Sequence, residues 1–486
     1  MIEPYRLMIN GGVLSPGELK YICEAAEYLG LDAISFGSRQ DIIFPEEIDE
    51  TKFSQFDKIQ FVKPKQDGIE NIASSYVSAD ILPSTSWLTS DRYLYVLEQF
   101  KHNPKLRINV IDPKQRLVPL FTGNVNFIAS KHEDYWYLYL RLPGWKKTKM
   151  YPALIYSWDM DKVELAIENI LIEEPETIEM VFDLVNDAIE TNNRTVDKSL
   201  DVPFYPFPYY EGMNRIGTDR YWLGLYWRNN RYDIPFLKAM CDLCSENKIG
   251  KISITPWKSF IVKGIPLHSK LTWEKFLGKY GINVRHSMLE MNWHLPVNDK
   301  DALSLKKYLV TNFDQNDIST YGLTFGITNH NSDTYNFTSI VIEKNKIPEA
   351  LGNFKIRDTY NLLYAKNFDP NTRQYIMHVQ DVDMVELPGL LMELSQLYFE
   401  ELGTEREDEK VEITTKKLTT EEVYQCSDCL TIYNEIYGDI TQNIESNTSF
   451  ESLSETYECS LCEAPKSSFE KKVLLKLSIR RLNSNC

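Results

Sequence analysis

Two segments of the chain share one order of apolar and polar positions, and each predicts a strand, a helix and a second strand. In the first, the apolar stretch Tyr5–Ile9 precedes a helical pattern whose apolar positions recur every three or four residues, and Ala33–Phe36 follows. In the second, Tyr221–Trp227 precedes a helix from Pro235, and Lys251–Thr255 follows. The common order predicts an internal repeat, although the two segments share little identity.

The first helix has a complete start signal. Ser15 is the predicted N-cap, Pro16 occupies the first helical position and Glu18 completes a capping box. This signal predicts the start of the helix to within a residue.

Each segment is followed by a longer stretch that mixes strands with helices. The predicted elements are the strands Leu106–Ile111, Thr122–Ala129 and Tyr135–Leu142 with helices around 160–192, and then the strands Thr324–Asn329, Ser339–Glu343 and Tyr375–Val379 with a helix from Pro388 to about Leu402. The chain therefore predicts an α+β fold of two pseudo-repeated halves. We place the first repeat and half at 1–62 and 63–205, and the second at 206–286 and 287–402.

The last eighty residues have a different character. Residues 403–422 are charged and lack aromatic side chains, which predicts a linker. A small domain is predicted over 423–470, followed by a basic tail, 471–486, which docks on an acidic surface or forms a frayed end.

The charge of the chain limits its partners. Its 486 residues carry a formal charge of −17, and this excess of acid argues against nucleic-acid binding, which needs a positive surface. It suits a carrier that docks on basic proteins. The N-terminal residues lack a signal-peptide pattern, and no window approaches the roughly 18 apolar residues of a membrane span. We therefore expect a cytoplasmic protein without a membrane partner.

Four of the eight cysteines form two Cys-x-x-Cys pairs, Cys426/Cys429 and Cys459/Cys462, separated by 29 residues. In the cytoplasm such pairs indicate metal or redox chemistry more than structural disulfides. Four thiolates from two such pairs can bind one tetrahedral metal ion. We predict a metal site at these four residues.

The other cysteines and the histidines are predicted to be structural. Cys241 and Cys244 also form a Cys-x-x-Cys pair, but they fall on the apolar stripe of the second helix, as Cys23 does on the first. The seven histidines are scattered and form no pair with metal-ligand spacing.

Aromatic and turn residues accompany the two terminal cysteine pairs in a defined order. They are Tyr424 and Tyr457 two positions before the pairs, Tyr433 after the first pair, the Gly438-Asp439 turn, the run from Thr448 to Leu453, and Ala464-Pro465-Lys466 with Phe469. This segment resembles rubredoxin along its whole length. The resemblance implies one iron ion that alternates between Fe3+ and Fe2+, single-electron transfer, and a redox partner protein. The alternative is a structural zinc ion that only stabilises a non-redox interaction scaffold.

The segment departs from the family at positions that rubredoxins usually fill with glycine. Leu430 and Glu463 follow the two pairs, and Asn447 precedes Thr448. If Leu430 and Glu463 adopt positive φ, each costs about 1–2 kcal/mol. A metal site of this kind contributes roughly 10–16 kcal/mol, so we expect it to form despite the strain.

Short motifs in the body resemble the sirohaem nitrite/sulphite reductases. The first repeat ends in Gly37-Ser38-Arg39-Gln40, Pro104-Lys105-Leu106-Arg107-Ile108 is similar to that family's Pro-x-Lys-x-Lys strand, and the second repeat ends in Thr255-Pro256-Trp257-Lys258. The resemblance implies ferredoxin-like repeats and a sirohaem- or anion-binding role for Arg39, Lys105 and Arg107. Alternation along a strand would place Lys105 and Arg107 on one face.

One departure from this second family is decisive. Its reductases bridge sirohaem to an iron–sulfur cluster held by two cysteine pairs, and no cysteine lies between Ser245 and Gln425. Our leading hypothesis is therefore an electron-transfer protein that serves nitrite/sulphite-type assimilatory reduction through its rubredoxin-type iron domain. A sirohaem- or anion-binding reductase subunit fed by its own rubredoxin domain is the second hypothesis.

Overall fold

The computed structural model describes residues 4–44, 48–56, 58–63, 68–143, 145, 147–329, 336–345, 358–411, 418–436, 438–442 and 444–477. The chain forms two compact units, residues 1–398, here called the body, and residues 399–486, here called the C-terminal unit.

The helices are mostly amphipathic and cover the sheets of the body. They are α1 (Pro16–Tyr28), α2 (Ser90–Leu97), α3 (Met160–Leu171), α4 (Ile178–Ala188), α5 (Ile234–Glu246), α6 (Lys270–Lys279), α7 (Met288–Met291), α8 (Lys300–Gln315) and α9 (Leu387–Val411). Within the described ranges, no helix is long and apolar enough to cross a membrane.

The strands of the body are short and mostly buried. They are β1 (Tyr5–Leu7), β2 (Val13–Leu14), β3 (Ala33–Phe36), β4 (Ile42–Phe44), β5 (Phe61–Val62), β6 (Ile72–Ser74), β7 (Ile108–Ile111), β8 (Val125–Ala129), β9 (Tyr135–Leu140), β10 (Lys149–Met150), β11 (Ala153–Tyr156), β12 (Arg194–Thr195), β13 (Gly212–Ile216), β14 (Arg220–Tyr226), β15 (Tyr232–Asp233), β16 (Ile252–Ile254), β17 (Ser259–Pro266), β18 (Trp293–His294), β19 (Phe325–Asn329), β20 (Ile340–Lys344), β21 (Thr359–Ala365) and β22 (Tyr375–Asp383). The C-terminal unit adds β23 (Leu418–Cys426), β24 (Ile432–Tyr433) and β25 (Phe469–Leu477).

The two repeats exchange short strands. One sheet has the order β15-β3-β4-β1-β5 and the other β13-β14-β17-β16-β2. The strand before α1 pairs with the strand after α5, with Val13 opposite Ser253. The strand before α5 pairs with the strand after α1, with Tyr232 opposite Ile34. Helices α1 and α5 pack together, so the repeats share one hydrophobic core.

The longer stretches also repeat one arrangement. One sheet has the order β12-β11-β9-β8-β7-β6, with β10 added to β9, and the other has the order β18-β19-β20-β21-β22. In each, three parallel neighbours (β6, β7 and β8; β18, β19 and β20) are continued by an antiparallel strand. The body thus has the predicted α+β character with two similar halves.

Local start signals predicted the repeats well. Ser15 caps α1 with the predicted capping box: its hydroxyl accepts from the Glu18 amide at 3.1 Å, and Glu18 accepts from the Ser15 amide at 2.6 Å. Cys23, Cys241 and Cys244 are buried in the shared core, as predicted.

The strand predicted over Leu106–Ile111 begins later, at Ile108. The backbone amides of Lys105 and Leu106 donate to the Glu168 carboxylate on α3 instead of to a neighbouring strand. Lys105 therefore lies in a bend, and the strand alternation expected to pair it with Arg107 is absent.

The predicted linker, 403–422, also differs from the structure. Helix α9 continues to Val411 and β23 begins at Leu418, whereas 412–417 lie outside the described residues. Glu, Lys and Arg are good helix formers, so a charged segment without aromatic residues does not by itself predict a linker. The first residues of the predicted basic tail belong to β25, which pairs with β23 along its length; residues 478–486 are not described.

A partly buried cluster of a histidine and two acids joins the 101–106 loop to α3. The His102 ring lies between Asp161, 2.8 Å from Nδ1, and Glu164, 2.6 Å from Nε2. Glu164 is fully buried, and its burial and the neighbouring Glu168 raise the pKa of its carboxyl group to about 10. Glu164 is therefore protonated in the folded protein at neutral pH.

Glu164→Gln should make the stability of the protein less dependent on pH. Because the folded-state pKa is raised above the unfolded value of about 4.3, the contribution of Glu164 is full below about pH 4 and declines as the pH rises. The neutral amide has no such loss, so the variant should gain stability over the wild type from about pH 6 upward. Urea unfolding at a series of pH values measures this.

Glu173→Gln, an exposed position just after the same helix, is the matched control and should follow the wild-type profile. Parallel pH profiles for Glu164→Gln and the wild type would contradict the assignment.

Candidate metal centre

Two similar backbone turns present the four cysteines of the C-terminal unit. In the first, the Leu430 amide donates to the Cys426 carbonyl at 3.0 Å and the Cys426 amide to the Thr431 carbonyl at 2.8 Å. In the second, the Glu463 amide donates to the Cys459 carbonyl at 2.9 Å, and the Cys459 amide donates to the Ala464 carbonyl at 2.7 Å. The sheet β24-β23-β25 carries the first turn at the end of β23.

The four sulfur atoms converge on one point. Cys426 Sγ lies 3.7 Å from Cys462 Sγ, and Cys429 Sγ lies 3.5 Å from Cys459 Sγ. All four lie within 4.8 Å of one another. Thiolates about 2.3 Å from a tetrahedral metal would be about 3.8 Å apart, so the arrangement fits one metal ion.

Hydrogen bonds stabilise the negative charge of these sulfurs. The Thr431 hydroxyl lies 3.0 Å from Cys429 Sγ, and with the Thr431 amide it lowers the pKa of Cys429 to about 6. The Ala464 amide makes the equivalent bond to Cys462, but burial and the hydrogen bonds with the other three cysteines raise the pKa of that thiol overall. Bonds of this kind to the sulfurs are one means by which a protein sets the potential of an iron–thiolate centre.

The positions where glycine is missing do adopt the left-handed backbone conformation. The φ angles are 65° at Leu430, 60° at Glu463 and 64° at Asn447. Asn tolerates this region, whereas Leu430 and Glu463 are strained. Gly438 has a φ of 68°, and a Cβ there would lie 2.4 Å from the Glu445 carbonyl oxygen, so only glycine fits.

An aromatic cluster supports the metal site. Tyr424 stacks on Phe450 with ring centroids 4.1 Å apart, and Tyr433, Tyr457 and Phe469 complete the cluster. The buried phenols are satisfied: Tyr433 donates to the Thr448 carbonyl at 2.9 Å, and Tyr457 donates to Asp439 at 3.0 Å. The aromatic residues selected from the sequence thus form the core of this small domain.

Burial divides the ligands into two inner and two outer ones. Cys426 and Cys459 are buried, Cys429 is partly exposed and Cys462 is exposed. The surface of the domain is acidic, with exposed Asp428, Glu445, Glu451, Glu455, Glu458, Glu463 and Glu470. Lys466 is bound within the domain, to Glu455 at 3.1 Å and the Leu453 carbonyl at 2.7 Å.

In the body, two of the three predicted anion-binding residues meet. Arg39 and Arg107 line one cleft of about 460 Å³ together with Arg6, Glu70 and His294. Lys105 is exposed and does not line it.

The arginines of this cleft already have protein partners. Arg39 Nη1 donates to Asn109 at 2.6 Å and Thr122 at 3.3 Å, and Nη2 donates to the carbonyls of Asn71 at 2.7 Å and Ile108 at 2.6 Å. Burial lowers the pKa of Arg39 to about 10, so it remains charged at neutral pH.

The remaining cations of the cleft form ion pairs. Arg107 Nε lies 3.1 Å from Glu70 and Arg6 Nε lies 2.5 Å from Asp41. Within the described part of the chain, the three arginines of the cleft thus each have a protein partner. Sequence reasoning missed Glu70 and Asp41, because nothing in their local pattern indicates partners across the fold.

Comparisons with known proteins agree with both parts of this description. The family model described as Rubredoxin matches residues 423–469. The structure of the Mycobacterium tuberculosis NirA protein aligns with a TM-score of 0.61 and 14% sequence identity, over 80% of this chain and 80% of that one. At this identity the likeness concerns the fold and not the reaction. The chain thus carries a C-terminal rubredoxin domain with a four-cysteine site, and most of its length has the fold of the NirA protein.

Proposed function

We propose that this protein carries single electrons on a mononuclear iron held by Cys426, Cys429, Cys459 and Cys462. The convergence of four sulfurs, with S···S separations of 3.5 and 3.7 Å, is the observation that carries the proposal. A bound iron ion would supply the Fe3+/Fe2+ couple. The four thiolates would hold it in a nearly constant geometry, while the aromatic cluster keeps water away from the inner ligands.

Electrons would enter and leave at the outer ligands. Cys462 is exposed. The two cysteine-bearing turns also expose Leu430 and Leu461, whose surfaces are 65% and 72% accessible. Two exposed leucines within an acidic surface suit a docking face in which charge orients the partner and apolar contact excludes water.

The fold of the body supports a finer proposal. We infer that the protein serves nitrite/sulphite-type assimilatory reduction, with the electron donor or acceptor on a basic partner enzyme. The absence of cluster cysteines between Ser245 and Gln425 assigns the body a docking role rather than a complete catalytic centre. The unpaired thiols of Cys23, Cys241 and Cys244 suit the reducing cytoplasm.

A sirohaem- or anion-binding body is the second candidate. In its favour, Arg39 and Arg107 line one cleft. Against it, the terminal nitrogens of Arg39 are bound to protein acceptors and Arg107 is paired with Glu70. The residues as placed do not fit an anionic macrocycle, so we derive no reaction step through it.

Purified protein should contain one iron per chain and show visible thiolate-to-iron absorption that bleaches with dithionite. Metal analysis and one absorption spectrum before and after reduction test this. Cys459→Ser should abolish the absorption, whereas Cys244→Ser, a core cysteine of the body, should leave it unchanged.

Zinc in place of iron, with no visible absorption, would replace electron transfer by the scaffold alternative. A haem-type spectrum that persists in Cys459→Ser would instead favour the sirohaem candidate.

Leu430→Gly should stabilise the iron site, because glycine relieves the left-handed strain. Strain of about 1–2 kcal/mol less the entropy cost of glycine leaves a net gain of about 1 kcal/mol. The rate of iron loss to a chelator during guanidinium unfolding measures the gain. Leu461→Gly removes a similarly exposed leucine at a position without positive φ, so it should not stabilise the iron site. Equal effects of the two variants on the rate of iron loss would contradict backbone strain at Leu430.

The rate of electron transfer should depend on ionic strength, and the charge of the oxidant should decide whether added salt raises or lowers that rate. Oxidation of the reduced protein by a basic cytochrome c should slow as salt is added, because salt screens attraction, whereas oxidation by ferricyanide should accelerate. Stopped-flow kinetics measures both rates.

Asp428→Asn with Glu463→Gln should weaken both salt dependences. The control, Asp183→Asn with Asp187→Asn on the body, makes the same charge change and should have a smaller effect. Rates that do not respond to salt would show that the acidic surface plays no part in docking.

A further inference from the structure

A second cavity of the body is lined by several cations, and only some of them form ion pairs. It has a volume of about 410 Å³ and lies between the segment after β14, the turn at 255–259 and the start of α8. Its lining includes Tyr226, Trp227, Lys258, Trp293, Lys300 and Lys306. It adjoins the cleft at Arg39, with which it shares Leu295 and Pro296, but none of these three lysines lines that cleft.

Two of these lysines make no ion pair. Lys306 is only 6% exposed, and its ammonium donates to the Tyr226 hydroxyl at 2.5 Å. Lys258 donates to the Leu295 carbonyl at 2.6 Å, from a backbone with a φ of 58°. Among the residues that the structure describes, neither ammonium has a carboxylate within ion-pair distance.

The two arginines and the aspartate of the lining have partners. Arg228 binds Glu290 through two bonds, at 2.5 and 2.7 Å, and Arg231 binds Asp32 at 2.6 Å. Asp299 is the carboxylate of the lining, and it caps α8 by accepting from the Ala302 amide at 2.9 Å. The cavity therefore keeps a surplus of positive charge within a chain of formal charge −17.

This surplus is costly without a ligand. Buried charges in proteins are normally paired, because their desolvation is not otherwise compensated. Burial lowers the pKa of Lys306 to about 7 and that of Lys258 to about 8. Repulsion by Lys258 and Arg228 lowers the pKa of Lys306 further, whereas Asp299 and Asp41 partly offset the effect of burial at Lys258. A hydrogen bond from Lys306 to Tyr226 could be made by a neutral side chain, so it does not account for a cation at this position.

We propose that the cavity binds an organic phosphate of nucleotide size, with its phosphate between Lys258 and Lys306. Lysine binds phosphate as a point charge, and a dianion would supply the missing counter-charge to both ammonium groups. The volume lies within the range of small-molecule sites and exceeds what a bare oxyanion needs. Trp227 and Trp293 provide apolar surface for the organic part.

The full-length, metal-loaded protein should be titrated with AMP and FMN, with adenosine and riboflavin as the matched compounds without phosphate, and with inorganic phosphate. Isothermal calorimetry at constant ionic strength measures each affinity. We expect AMP or FMN to bind at least tenfold more tightly than its phosphate-free partner and than inorganic phosphate.

Lys306→Met and Lys258→Met should each weaken this binding at least tenfold. Lys307→Met, the exposed neighbour on the same helix, should bind as the wild type does. Without ligand, Lys306→Met should also melt at a higher temperature than the wild type, because a buried uncompensated charge has been removed.

Failure of both AMP and FMN to bind, or equal binding by Lys306→Met and the wild type, would overturn the proposal. Equal affinity for inorganic phosphate and the nucleotides would reduce the site to a free oxyanion site and overturn its organic half. None of these outcomes depends on iron at the four cysteines, so the test is independent of the proposed electron transfer.

Discussion

The exchange of short strands between the two repeats is the constraint on which the body depends. Strands β2 and β15 each complete a sheet of the opposite repeat, so neither repeat has a finished sheet of its own. Gln40 reinforces the junction: its side chain bonds the Ser74 carbonyl at 3.0 Å, the Ser74 amide at 2.7 Å and the Ile254 carbonyl at 2.8 Å. It thereby joins both repeats to the first half. A Cβ on Gly12 would lie 2.6 Å from the Gln40 Cβ, which explains the glycine there.

The contacts of this junction indicate a structural role for the Arg39-Gln40 turn, which resembles a reductase motif in sequence. Arg39 and Gln40 occupy neighbouring positions, and both side chains end in bonds to main-chain carbonyls of other elements. In the described structure they hold the fold together around a cleft. The body has the fold of the NirA protein, and Lys258 and Lys306 line another cavity of it.

The C-terminal unit depends on a different interaction. Its buried aromatic cluster is small, and two strained residues, Leu430 and Glu463, follow the ligand pairs. Metal binding by four thiolates contributes roughly 10–16 kcal/mol, which exceeds the strain of about 1–2 kcal/mol at each position. The site can therefore tolerate residues that a turn of this geometry otherwise disfavours, and their side chains are exposed beside the ligand pairs.

The sequence by itself determined the local features of this protein. The capping box at Ser15, the periodic burial of Cys23, Cys241 and Cys244, and the ligand spacing of the terminal cysteines depend on neighbouring residues, and the structure agrees with each. Only the tertiary structure decided which long side chains bind partners that are far away in the sequence. Lys105 does not belong to the predicted strand, because its backbone amide donates to the Glu168 carboxylate. Nothing near Lys258 or Lys306 in the sequence indicates that they line the same cavity. Hydrogen bonds and ion pairs between residues far apart in the chain have no local pattern, so they emerge only once the strands are in register.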